Sequence, residues 1–333
     1  MSGILGIHHV TALASNPQRA LDFYTGVLGL RFVKRTVNFD DPGTYHFYFG
    51  DEIGTPGSIL TFFPWPGAPR GRQGPGQVAV TSFAVGPGSI GFWIQRLIHH
   101  ALPYQGPATR GPPGAEAERV LSFKDPDGLL LEIVGHASAE SRPHWAGAPG
   151  VPGEHALHGF HAVTLWVEDG QATERMLVDT LGFHPVREDD TTRRFALGQG
   201  GASRLVDVRS TGAFLRRLES AGTVHHVAWA VADDADQLAV RGRVRAAGLR
   251  PTEVIDRTYF RSVYFREPGG VLFELATNGP GFAVDEPAER LGEALMLPPR
   301  YQGRRAEIEA ALPPIHLPVR GAVFERGAEE RNP

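Results

Sequence analysis

Cysteine is absent from the 333-residue chain, so neither disulfides nor thiolate ligands are available, and any bound metal must be held by nitrogen and oxygen. No stretch approaches the ~20 consecutive apolar residues of a membrane span. No basic block stands out among the scattered arginines, and a net charge of −4 gives no electrostatic reason to expect nucleic acid. The opening Met1-Ser2-Gly3-Ile4-Leu5 lacks the basic, apolar and small-residue series of an export signal, so a cytoplasmic protein with no membrane partner is expected. What remains is ordinary: a hydrophobic content of 41% and a charged content of 21% suit a soluble globular protein, and the length suits two domains with their own cores.

The chain reads as four copies of one small unit: an alternating strand, an amphipathic helix, then strands that close on a turn and an apolar run. The first copy starts near Gly6, caps its helix with Asn16-Pro17, places Ala20, Tyr24, Val27 and Leu28 on one face, and stops at Gly29. The third mirrors it: His161-Ala162-Val163-Thr164-Leu165 matches His8-His9-Val10-Thr11-Ala12, and Leu181-Gly182-Phe183 matches Leu28-Gly29-Leu30. The second starts near Val80, with Ser89 as helix cap, and the fourth starts at His225, with a helix ending at Gly248. Their endings align, Asp125-Pro126-Asp127-Gly128-Leu129-Leu130-Leu131-Glu132 with Glu267-Pro268-Gly269-Gly270-Val271-Leu272-Phe273-Glu274. The expected fold is α+β, four βαβββ modules in two tandem domains, each a cupped mixed sheet with outer helices. Residues 1–141 and 154–280 form the two domains around a Pro/Gly-rich linker at 142–153. Residues 281–333 form a C-terminal arm, with a short amphipathic helix at 304–312 and a disordered tail from 320.

The dipeptide His-His opens two of the strand-like runs, His8-His9 and His225-His226, and the carboxylate Glu274 closes the last module. Two imidazoles and one carboxylate are the donor set of a divalent iron site with open positions. Adjacent strand residues point to opposite faces, so one His of each pair faces the inside of a cupped sheet. The position of His9 is His226 in the fourth copy, Ala162 in the third, and not His in the second. Carboxylates close only copies two and four, as Glu132 and Glu274. If paired modules share one cup, modules one and four alone supply His9, His226 and Glu274. Glu132 then has no His partners and reads as a solvated or hydrogen-bonded structural residue. One metal is expected, Fe(II), with Mn(II) suiting the same donors.

Other residues stay open between two readings. Parity turns His8 and His225 away from the metal unless a bulge intervenes. Thr11 shares the face of His9 and either binds substrate or water, or is an ordinary β-former. Trp65, Phe62, Phe63 and Phe83 either line an aromatic-sized cavity or pack the core. His161, His158, His99 and His100 read as structural or surface residues.

These features resemble the vicinal-oxygen-chelate (glyoxalase-like) superfamily, and within it the hydroquinone-cleaving dioxygenases. The matching segments run in order along nearly the whole chain. They are Ile7-His8-His9-Val10-Thr11, Arg31-Phe32-Val33-Lys34-Arg35-Thr36, Tyr45-His46-Phe47-Tyr48-Phe49 and Gly54-Thr55-Pro56-Gly57, then His225-His226, Arg257-Thr258-Tyr259-Phe260, Pro268-Gly269-Gly270, and Leu291-Gly292 with Leu297-Pro298-Pro299. The resemblance implies Fe(II), dioxygen, and opening of a small aromatic diol. It keeps His8 and His225 beside the active site, gives Tyr264 the role of hydrogen-bond donor to a metal-bound oxygen, and makes Arg257 a fixed cation for an anionic hydroquinone or product. The rivals are a catechol-cleaving extradiol dioxygenase, a glyoxalase-type isomerase needing a further carboxylate ligand, and a metal-free ligand-sequestering protein. Oligomeric state is not legible, although the C-terminal arm could clasp a second subunit.

Overall fold

A computed structural model describes residues 3–111, 117–213 and 216–317. The tail expected to be disordered, 320–333, lies outside the described residues, and so does most of the arm's end. The first module contains β1 (Gly6–Ala14), α1 (Pro17–Asp22), β2 (Arg31–Val37), β3 (Tyr45–Gly50) and β4 (Ile59–Pro64). The second has β5 (Gln77–Val85), α2 (Ile90–His99), β6 (Tyr104–Arg110), β7 (Glu118–Lys124) and β8 (Leu130–Gly135). The third has β9 (Phe160–Val167), α3 (Gln171–Arg175), β10 (His184–Asp189), β11 (Thr192–Ala196) and β12 (Leu205–Ser210). The fourth has β13 (Val224–Val231), α4 (Asp234–Ala246), β14 (Ile255–Asp256), β15 (Arg261–Arg266) and β16 (Leu272–Thr277), and α5 (Arg305–Ala311) lies in the arm. No helix among the described residues is long and apolar enough to cross a membrane.

The strands form two curled mixed sheets of eight, ordered β14-β15-β16-β13-β1-β4-β3-β2 and β10-β11-β12-β9-β5-β8-β7-β6. Each sheet therefore joins one module from either half of the chain, the first with the fourth and the second with the third. In both, the opening strands of the two modules pair antiparallel at the centre, β1 with β13 and β5 with β9. All nine residues of β1 are buried, because helices cover one face and the cup encloses the other.

Local chemistry explains most element ends. Asn16 Oδ1 accepts from the Arg19 amide and Pro17 opens α1, while Gly29, at φ +68°, ends that segment in the left-handed region. Beyond Asp22 the helix widens into a π turn at Phe23–Val27, and the third module repeats this at Met176–Thr180. Ser89 departs from expectation. A 3-10 turn at Pro87–Ser89 has already put it in helical geometry, so its side chain caps nothing and binds the Glu154 carbonyl, 3.1 Å away.

The arm returns to the first module. Lys34 on β2 is fully buried, with its ammonium over the Tyr259 ring, 2.6 Å from Asp285 Oδ1 and bonded also to Glu286 Oε2. Asp285 in turn accepts from the Tyr259 hydroxyl at 3.0 Å. This clasp holds the arm on the chain's own strand β2. Removing one partner of a buried charge pair strands the others, at a cost of about 3–5 kcal/mol. Lys34→Met should lower the unfolding free energy by that amount and open the segment after Gly281 to protease, read by chemical denaturation and limited proteolysis.

Candidate metal centre

The seam between β1 and β13 builds the site. In its register Ile7 faces Trp229 and His9 faces Ala228, which leaves His8 as an extra residue on β1. Further along, Thr11 faces His226 and Ala12 faces Val224, which leaves His225 extra on β13. Each His-His pair thus sits on a β-bulge, the device that re-aims side chains next to sites. Parity holds for His9 and His226, which point into the cup. The bulges overturn it for His8 and His225, which turn back against their neighbours.

Three donor atoms converge. His9 Nε2 and His226 Nε2 are 3.2 Å apart, and Glu274 Oε2 lies 3.1 Å from the first and 2.9 Å from the second. Metal–ligand bonds of ~2.1 Å at right angles place neighbouring donors ~3.0 Å apart, whereas tetrahedral angles would spread them to ~3.4 Å. The triangle fits one face of an octahedron, and the donor set fits a divalent iron or manganese ion. Glu274 Oε2 is buried and lacks a hydrogen-bond partner, as a donor reserved for a cation would be, while its other oxygen accepts from Ser262 Oγ.

The bulge histidines set the tautomers of the donors. His8 Nε2 lies 3.1 Å from the Thr277 carbonyl, which can only accept, so that nitrogen carries the proton. Burial and the adjacent His9 push His8 down to about 3, so it is neutral and its Nδ1 is bare. That Nδ1, 2.9 Å away, accepts the Nδ1–H of His9 and leaves His9 Nε2 free for a metal. His225 repeats the arrangement on His226, with Nδ1 to Nδ1 at 2.7 Å and with burial and His226 pushing it down to about 4. Its Nε2 stands 3.8 Å from Glu219 at the partly open rim.

A cavity of about 250 Å³ opens on the triad. That is slightly below the roughly 300–1,000 Å³ of drug-sized pockets and suits a single ring. Thr11, His225, Arg257 and Tyr264 line it, but His8 stands behind His9. Tyr264 is paired with Glu274 across the strands, and its ring meets that of His226 at 5.6 Å. Burial and Glu274 raise its phenol, so it stays a donor. Arg257 sits in the turn between β14 and β15, 5.6 Å over the Tyr264 ring and 3.2 Å from Asp40. Phe63 and Trp65 line the cavity. Phe62 does not: one residue after Thr61, it faces the helix side and packs on Tyr24 at 4.6 Å. Phe83 belongs to the other sheet, 5.4 Å from Phe160.

Sequence reasoning missed Asp40, His46 and Tyr48 in the wall and Thr61 beneath it. Alternation within Tyr45-His46-Phe47-Tyr48 would have put His46 and Tyr48 on one face, but not which face. Thr61 pairs with Thr11, two residues past His9, just as Glu274 pairs with Ala228, two past His226. The first module therefore offers a short hydroxyl where the fourth offers a carboxylate.

The second cup tells the converse story. Val80 and Ala162 follow its two bulges in the places of the ligand histidines. Glu132 and Asp207 keep the carboxylate places but hold guanidinium groups: Arg110 at 2.7 Å from Glu132, and Arg194 on both oxygens of Asp207 at 2.7 and 2.8 Å. His161 is buried against Glu118 at 2.6 Å.

Comparison with known proteins agrees with this geometry. The family model described as Glyoxalase/Bleomycin resistance protein/Dioxygenase superfamily matches residues 6–133 and 159–275. The chain belongs to that superfamily. It is 45% identical over 94% of its length, and 97% of the relative's, to the "Putative ring-cleaving dioxygenase MhqO" of Bacillus subtilis (strain 168). The "Chlorohydroquinone/hydroquinone 1,2-dioxygenase" of Sphingobium indicum is 34% identical, over 91% of this chain and 94% of that one. The crystal structure of a "putative dioxygenase" from Bacillus subtilis subsp. subtilis str. 168 superposes with a TM-score of 0.88 at 44% identity, covering 95% of this chain and 99% of that one. The expectation of an enzyme of the ring-cleaving dioxygenase kind holds.

His9→Ala, His226→Ala and Glu274→Ala should each leave the protein unable to retain Fe(II) or Mn(II) through anaerobic gel filtration. His8→Phe should retain it with an affinity lowered by about 10–100-fold, measured by titration calorimetry.

Proposed function

We propose that this protein is a cytoplasmic, Fe(II)-dependent dioxygenase that opens the ring of a hydroquinone or substituted hydroquinone with O₂. The observation that supports this most is the incomplete donor set: His9, His226 and Glu274 take one face, and Thr61 is too short, and too engaged in hydrogen bonds, to serve as a further ligand. Positions for two reactants are thereby left open. A glyoxalase-type isomerase would want a second carboxylate there.

Iron(II), when bound, would acidify a hydroxyl of the diol and provide the redox couple through which ring electrons reach triplet O₂. The chain's own residues do the rest. Phe63, Trp65, Phe260 and Leu272 in the cavity wall hold a planar ring and exclude water. His225 is neutral and its Nδ1 is taken up by His226, so the proton that the diol releases on binding passes to solvent at the partly open rim. Tyr264 donates a hydrogen bond to developing negative charge, and Arg257 behind it supplies a fixed cation. The name of the Sphingobium relative is consistent with a hydroquinone.

The decisive experiment loads the protein with Fe(II) without air and follows oxygen uptake with hydroquinone, catechol and the thiohemiacetal of a 2-oxoaldehyde. Uptake with hydroquinone, with both atoms of ¹⁸O₂ in a ring-opened product, is expected. Uptake with catechol alone would assign an extradiol enzyme, and conversion of the thiohemiacetal without oxygen would assign an isomerase. Tyr264→Phe should keep its iron and lose about 100-fold in kcat.

A further inference from the structure

A row of polar side chains in the cavity wall reaches the site through hydrogen bonds that include none of His9, His226 and Glu274. The Tyr48 hydroxyl lies 2.9 Å from His46 Nδ1, His46 Nε2 lies 2.9 Å from Thr61 Oγ1, and Thr61 Oγ1 lies 2.9 Å from Thr11 Oγ1. Tyr48, Thr61 and Thr11 are at most 1% exposed. Thr11, at the far end, lines the cavity from the same face of β1 as His9.

The direction of the row is set at its start. Among the described residues the Tyr48 hydroxyl has no hydrogen-bond partner but His46, and a buried donor left unmatched costs about 1–3 kcal/mol. Tyr48 therefore donates to Nδ1. A neutral imidazole has one N–H, which must then sit on Nε2 and point to Thr61. Burial keeps His46 well below its ordinary range, consistent with the neutral ring. The Thr61 hydroxyl, having accepted from His46, donates to Thr11. The Thr11 proton is left with no acceptor among the described residues and faces the cavity.

We infer that Tyr48, His46 and Thr61 are positioning residues that orient the Thr11 hydroxyl as a hydrogen-bond donor to an anionic oxygen of the hydroquinone. A free threonine hydroxyl rotates and would offer a lone pair as readily as a proton. Here Thr61 occupies one of the two lone pairs and the proton has no other acceptor among the described residues, so the hydroxyl is biased toward donating and favours the ionised diol over the neutral one. The identity of the ligand rests on the function proposed above, whereas the polarity of the row does not.

Two measurements on the full-length protein, loaded with redox-silent Zn(II), test it. Nitrogen-15 NMR of labelled histidines, with His46→Asn for assignment, should find His46 protonated at Nε2 and bare at Nδ1, and Tyr48→Phe should turn it into a mixture of tautomers. A proton on Nδ1 in the parent protein would overturn the inference. In titrations with hydroquinone, Thr11→Val and Tyr48→Phe should each weaken binding about tenfold, Thr11→Ser should restore it, and the Thr11→Val/Tyr48→Phe double variant should bind no worse than Thr11→Val alone. Losses that multiply in the double variant would mean that Tyr48 acts by packing, against the inference. If the parent protein does not bind hydroquinone, the proposed substrate is wrong, and the tautomer of His46 still decides whether the row is directed.

Discussion

The metal centre depends on the antiparallel seam between β1 and β13, which brings side chains 217 positions apart into contact. Two bulges on that seam, one per strand, do more than bend it. Each inserts a second histidine behind the one that faces the cup, and each second histidine dictates which nitrogen of the first is free. Metal affinity is thereby written into backbone pairing. A regular ladder would send His8 and His225 to the helix side and leave both donor rings free to flip.

The second sheet has the same seam and the same bulges, yet a different outcome. Its carboxylates are retained, and two guanidinium groups stand where positive charge is needed. Removing imidazoles from the first cup would strand Glu274 in the same way, because a buried carboxylate needs a cation from somewhere. The two cups surround their buried carboxylates differently, with two imidazoles in one and arginine in the other.

The repeats, the pairing of first and fourth modules and the convergence of His9, His226 and Glu274 were all legible, since each rests on period-two alternation or on the alignment of Ala162 and Glu132 against those positions. What escaped was whatever depends on register. The bulges at His8 and His225 are set by how two distant strands slide past each other, which neither strand encodes alone. Phe62 and Phe63 could be placed only once Thr61 was known to pair with Thr11. The burial of Lys34, one of three basic residues in its strand, makes sense only with Asp285 and Glu286 in view, and these lie in an arm without periodic pattern. Ser89 misled because a serine before an apolar helix looks like a cap whether or not a tight turn precedes it.

Since one donor comes from the first strand and the other two from the last module, a ribosome-bound chain has no complete site until nearly all of it has emerged. Domains synthesised first ordinarily fold first, but here the early strand must wait with one edge unpaired and its histidine unused. Truncations lacking the fourth module therefore keep only His9 of the three clustered side chains, and the cluster is complete only in a nearly complete polypeptide.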